Sequence, residues 1–429
     1  MRLIVAERHA VRLVSAELVM VGGSASLPGE APAALSLIAG SAVHGTKSFT
    51  ETQLFGEMNA HLIEIKPDVR DIWFGVSMRA PSPSLERGLQ MIHAMMLEPT
   101  FPPQAFEIVR NQQIGYADLD AENVDLIARR NLYGALYGPS HPYTRAIAPR
   151  KGDLTRTTRD DVIRVWRETV DPSIATLVVV GDVDAGQVRR LVEGQFGAWQ
   201  HDPNFPPRAL VPAAAPGGPR LVVVDRPGAK QAKVLYGAVA PAAGSPDHPA
   251  HLLMRALIGG MRSSALATEL RDEIGATSRE GVDFADRPGV GLDWWYGSVA
   301  PERTADVLAT LDRRMRELRA RGPSSDELSA AKGRLVLSFP RRFETISQFL
   351  GTLVRAAEFE LPLDYGSQMI AGVSAVSNEE VRAAFPDPVE VKAVVVGDLA
   401  SLKESLLALG WGAIAVNDAE GHLVQTLSR

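Results

Sequence analysis

Two runs of valine, each closed by Gly-Asp, punctuate a chain whose other segments alternate polar helical faces with short apolar strands. Val178-Val179-Val180-Gly181-Asp182 returns as Val394-Val395-Val396-Gly397-Asp398, and 394 − 178 sets the offset at 216. An uninterrupted apolar run ended by a turn pair predicts a buried strand. Each run follows a stretch rich in Glu, Asp and Arg (residues 160–168 and 378–384) and precedes an amphipathic one (186–196 and 399–409). The matching order predicts an internal duplication. A strand is expected to open each half, at residues 12–21 and 220–224, and long amphipathic helices are expected at 301–321 and 325–337. Strands and helices mix without strict βαβ alternation. The predicted class is therefore α+β, with two homologous domains, each a mostly antiparallel sheet with helices packed on one face.

Between the halves lies HDPNFPPRALVPAAAPGGP, residues 201–219. Proline locks φ and removes a backbone donor, so this density of Pro and Gly excludes a regular helix or central strand. The expected boundaries are an N-terminal domain at 1–203, a linker at 204–219 and a C-terminal domain at 220–429.

Composition narrows the function classes. With 45% hydrophobic and 22% charged residues, the chain has the make-up of a folded domain pair rather than a disordered segment. A net charge of -6, with Lys and Arg dispersed, argues against nucleic acid as a partner. The absence of cysteine excludes disulfides, thiolate nucleophiles and Cys-ligated metals. No run of apolar residues is long enough for a transmembrane segment. Arg2, Glu7 and Arg8 leave no apolar core for a signal peptide, so the expected location is cytoplasmic by default, or periplasmic if a leader has been trimmed.

Several short motifs follow one another in a telling order. The first half carries Gly22-Gly23-Ser24, a helix predicted over residues 32–43, His44-Gly45-Thr46-Lys47, and Leu136-Tyr137-Gly138-Pro139-Ser140-His141-Pro142-Tyr143 before the valine run. The second half adds Gly259-Gly260-Met261-Arg262-Ser263-Ser264 and Leu270-Arg271-Asp272-Glu273. This series resembles the insulinase-like (pitrilysin-type, inverzincin) metallopeptidases over essentially the whole chain, in the half-length bacterial form with two homologous domains. In active members the helix before Gly-Thr carries H-x-x-E-H. Its two His sit at i and i+4 on one face to share a zinc ion, and its Glu serves as general base on the zinc-bound water.

The resemblance places that motif here on Ser36, Ala39 and Gly40, a degenerate set without catalytic or metal-binding groups. The third ligand, a downstream Glu, should fall in Ile114-Gly115-Tyr116-Ala117, which holds no carboxylate; Asp118 is the nearest. No H-x-x-E-H or H-E-x-x-H exists among the nine histidines, and His248 and His251 lack a Glu at the right place. The resemblance also implies an Arg and a Tyr, seven residues apart, that contact substrate and stabilise the tetrahedral intermediate. Arg271 matches the Arg, but Ser278 stands at the Tyr position, unless Tyr296 substitutes from a neighbouring strand. Gln231, leading into a strand near the implied substrate channel, is a further candidate, with a surface turn as its plainer reading. Trp294, Trp295 and Tyr296 are all expected first of all to be core or interface aromatics, because rings of that size mostly pack.

The expectation is thus a non-catalytic subunit of a heteromeric insulinase-like zinc peptidase, closing the peptide chamber. It has no zinc-peptidase activity and no cofactor of its own. Zinc is expected in a homologous partner subunit carrying H-x-x-E-H, with peptide as substrate. The alternative is a structural or peptide-binding scaffold without a peptidase role. A metal-independent enzyme finds no nucleophile–base constellation or G-x-S-x-G elbow to support it.

Overall fold

The computed structural model describes residues 1–27, 31–205, 217–260, 265–273 and 280–428. Five strands form the first sheet: β1 (Arg2–Glu7), β2 (Leu13–Val21), β3 (Glu64–Val69), β4 (Trp73–Pro81) and β5 (Ala175–Gly181). Their order is β1-β5-β2-β4-β3; β1 and β5 are parallel and the remaining pairs antiparallel. The second sheet holds β6 (Leu221–Asp225), β7 (Ala232–Pro241), β8 (Glu280–Ala285), β9 (Val290–Val299), β10 (Lys392–Gly397), β11 (Ile414–Asn417) and β12 (Leu423–Leu427). Its order is β12-β11-β6-β10-β7-β9-β8.

The run β6-β10-β7-β9-β8 repeats β1-β5-β2-β4-β3 place for place. Each valine-run strand, β5 and β10, sits parallel to one neighbour and antiparallel to the other. Both are buried along their full length. A strand covered on both faces must be apolar at every position, which is why alternation gives way to unbroken valine there. The α+β class and the mostly antiparallel sheets follow the expectation.

The chain divides into two compact units, and each takes in a piece from the other half of the sequence. The first comprises Met1–Asp118, Ala148–Ala209 and Pro340–Leu363; the second comprises Leu119–Ile147, Leu210–Phe339 and Asp364–Arg429. The linker expected at 204–219 lies largely outside the described residues. Its described end is held by Lys392, whose Nζ donates to the carbonyls of Gly217 at 3.1 Å and Gly218 at 3.0 Å.

Four helices matter for the site: α1 (Ala31–Ser41), α2 (Pro103–Asp120), α3 (Val124–Tyr137) and α4 (Ile346–Glu358). In the first unit, Val14, Ala16, Leu18 and Met20 of β2 face a core shared with α1 and α2. Successive side chains alternate across a strand, so Ser15, Glu17 and Val19 face the other way. Yet Val19, Val178 and Val180 on that second face are fully buried, because α4 packs there against β2 and β5. The second unit repeats the arrangement, with α3 lying on β7 and β10. Most helices cover one face of each sheet, and one helix from the opposite half of the sequence closes the other.

Covering the second face traps two carboxyls. Glu17 on β2 and Glu358 at the end of α4 are each pushed up to about 7, chiefly by burial. Asp68 adds to the rise at Glu17 and Arg70 opposes it; Arg355 opposes the rise at Glu358, and Glu17 itself adds to it.

Candidate functional site

Helices α1 and α2 meet along two pairs of residues with i, i+4 spacing. Such pairs share a helical face, so Ser36 and Gly40 on α1 look toward Gln113 and Val109 on α2. The Ser36 hydroxyl donates to Gln113 Oε1 at 3.3 Å. One turn further along α1, a Cβ on Gly40 would stand 2.6 Å from Val109 Cγ1. Val109 is 2% exposed, and a β-branched side chain on a helix has little freedom to swing aside.

The positions expected by resemblance to carry H-x-x-E-H therefore present one hydroxyl, one methyl and one bare Cα. None supplies an imidazole nitrogen or a carboxylate. Within Ile114-Gly115-Tyr116-Ala117, Ile114 and Ala117 pack against the core. The polar group facing α1 is Gln113, one residue before that segment. Its amide oxygen accepts a hydrogen bond but carries no charge to hold a cation. Asp118 is at the surface, 2.9 Å from Lys151 Nζ. Among the described residues, no three His, Asp or Glu side chains gather as a metal-holding group.

The turn after α1 keeps its geometry. Gly45 adopts φ +151°, and a Cβ there would lie 3.1 Å from Thr100 Oγ1. That conformation with that crowding favours glycine. Its carbonyl accepts the Thr100 N–H at 3.1 Å, and His44 Nδ1 lies 3.1 Å from the Glu51 carboxylate.

In the second unit, Arg271 lies in the short helical turn Glu269–Glu273, directly after the fully buried Leu270. Ser278 lies outside the described residues. Gln231 and Tyr296 come together, because both line a cavity of about 550 Å³ on the α3 side of the second sheet. Arg271 is not among the residues that line it. Leu235, which pairs with Tyr296 across β7 and β9, and the buried Trp294 give the cavity apolar walls. Trp295 points to the opposite face and into the core. Lys233 Nζ reaches the Asp125 carboxylate at 2.6 Å and stands 5.0 Å from the centre of the Tyr296 ring. Arg129, one helical turn after Asp125 on α3, and Asp283 of β8 complete the charged lining. Sequence reasoning missed Arg129; its only signal is the i, i+4 spacing from Asp125.

His248 and His251 belong to a buried ionic network instead. Arg255 is 5% exposed and lies between two carboxylates, with Nε to Asp293 Oδ1 at 2.6 Å and a terminal nitrogen to Asp286 Oδ1 at 2.8 Å. His251 Nδ1 stands 3.4 Å from Asp293, and His248 Nδ1 stands 2.8 Å from the Tyr365 hydroxyl. The guanidinium already engages both carboxylates that a metal ion would need.

Residues 156–335 match the family described as the peptidase M16 inactive domain. An uncharacterized zinc protease of Mycobacterium leprae is 26% identical over 281 residues, which span 63% of this chain and 61% of that protein. The chain thus spans about three-fifths of that relative's length. Among solved structures, the peptidase M16 inactive domain from Pseudomonas fluorescens covers 92% of this chain and 95% of its own, with TM-score 0.81 and 20% identity. A protease from Helicobacter pylori covers 92% and 96%, with TM-score 0.83 and 17% identity. No described helix is long and apolar enough to cross a membrane.

Proposed function

We propose that this chain, which resembles the insulinase-like (M16) peptidases, serves as a non-catalytic subunit of a heteromeric zinc peptidase. In this reading it binds no zinc itself; a homologous subunit carrying H-x-x-E-H supplies the metal, and this chain helps enclose the peptide substrate. One observation carries the reading. The α1–α2 contact that would hold a zinc ion is filled, with Ser36 bonded to Gln113 and Gly40 closed over by Val109. A scaffold that keeps its Gly45 turn and both sheets while closing that space has kept the fold and set aside the chemistry. The repeated strand order supports an internal duplication as the origin of the two units. Arg271 is the residue we assign to substrate contact in the assembled enzyme, where a fixed guanidinium favours developing negative charge.

The test is reconstitution. Affinity purification of the full chain from its native host should bring down a homologue carrying H-x-x-E-H. Peptidase activity should be absent from this chain alone and appear when the two are mixed. Full activity from the partner without this chain would leave only a scaffold role. Undiminished activity of an Arg271→Ala pair would remove Arg271 from the site.

A further inference from the structure

We propose that the cavity beside α3 is a binding site for a short free peptide, with the peptide's terminal carboxylate held by Arg129 and its terminal ammonium by Asp283. At about 550 Å³ the cavity falls in the size range of small-ligand sites. Its make-up is also that of a ligand site, with apolar walls from Leu235 and Trp294 and a few polar groups converging from three strands and a helix.

The charges decide what it takes. Lys233 is already neutralised by Asp125. Arg129 is half-buried and, among the described residues, makes no ion pair or hydrogen bond. A partly desolvated guanidinium in that state favours a planar anion, and its fork of donors matches a carboxylate. Asp283 accepts the backbone N–H of Phe284 at 2.9 Å but has no cationic partner among the described residues. The cavity therefore offers one uncommitted positive group and one uncommitted negative group.

The lateral offset between the elements that carry them sets the scale of the length. Arg129 comes from α3, which lies over β7, and Asp283 comes from β8, two strands away across β9. Two strand spacings amount to about 10 Å. An extended chain advances about 3.3 Å per residue, so the ends of a tripeptide span a similar distance. Tyr296 and Ser298 stand on β9, the strand between β7 and β8, and Gln231 lines the same cavity; their side chains are able to bond the peptide's amides. A segment inside a longer polypeptide has neither terminal charge, so this site selects free peptides. A phosphate or other dianion would meet the carboxylates of Asp125 and Asp283 and is disfavoured. The assignment concerns this chain alone and holds whether or not a zinc-bearing partner exists.

Calorimetric titration of the full chain with the tripeptide Leu-Gly-Leu tests it. Binding is expected, with C-terminal amidation and N-terminal acetylation each weakening it by about tenfold or more, the scale of one lost charge-assisted contact. In the R129Q variant the free and amidated peptides should bind alike; in D283N the free and acetylated peptides should bind alike. Neither substitution removes an ion pair, so both variants should fold, and the modified peptides test the site without any substitution. No binding of the free tripeptide at concentrations on the order of 10 mM, or equal binding of the amidated form to the unaltered chain, overturns the proposal. So does a preference for the free carboxylate that survives in R129Q.

Discussion

Replacing Glu17 with Gln should stabilise the first unit at alkaline pH and leave it unchanged in acid. Burial under α4 raises the Glu17 carboxyl from 4.5 to about 7. Below pH 4.5 the group is protonated in both folded and unfolded chains, and burial costs nothing electrostatic. Between 4.5 and 7 the unfolded chain releases the proton while the folded chain keeps it, so stability falls as pH rises through that window. Above 7 the folded state holds a buried carboxylate at a cost of about 3 kcal/mol, the free-energy equivalent of the displacement from 4.5 to about 7. Glu17→Gln keeps the shape of the neutral acid and removes this cost. Urea unfolding at pH 8 should show the variant more stable by roughly 2–3 kcal/mol, with the difference vanishing near pH 4.5. Because Glu17 raises Glu358, the Glu358→Gln variant should gain in the same way, and the double variant should gain less than the two singles together. Hydrogen exchange should place the loss at alkaline pH in the amides of α4. A pH-independent difference, or an unaltered chain that outlasts the variant at pH 8, would show that the buried Glu17 carboxylate carries no such cost.

Two further substitutions probe packing. Gly40→Ala would normally strengthen a helix by about 1 kcal/mol, but the contact with Val109 should reverse the sign to a net loss of about 1–2 kcal/mol. The loss should shrink in a Val109→Ala background, and a stabilising Gly40→Ala measured by urea unfolding would show that the contact is loose. Arg255→Met leaves Asp286 and Asp293 buried without their cation and should cost about 3–5 kcal/mol, read by the same method. A cost below about 1 kcal/mol would mean that the carboxylates find other relief.

The sequence exposes the parts of this fold whose signal is local. The valine runs of β5 and β10 are buried on both faces, and only an apolar residue at every position satisfies that. A likeness between the two halves could be expected from the same runs and their flanking helices, but the order of the strands could not. The crossing of α3 and α4 to the sheets of the opposite halves could not. Amphipathic periodicity reports that one face is buried but not which sheet buries it. For the same reason an offset that leads to residues 114–117 does not point to Gln113. Helix phase, not offset along the chain, decides which side chain of α2 meets Ser36. Gln231 and Tyr296 were readable as candidates only singly; the antiparallel register of β7 and β9 brings them to one cavity. Arg129 is anonymous in the sequence because one Arg on an amphipathic helix is ordinary, and its interest comes from its surroundings.

In the function we propose, the α1–α2 contact has no place for zinc. The most direct measurement is the zinc content of the full chain purified in the presence of excess zinc, determined by elemental mass spectrometry against protein concentration. With Ser36, Ala39 and Gly40 at the positions where the resemblance expects ligands and base, and Val109 packed against Gly40, far less than stoichiometric metal is expected, below about 0.1 zinc per chain. One zinc per chain, retained through dialysis and released by a chelator, would contradict it.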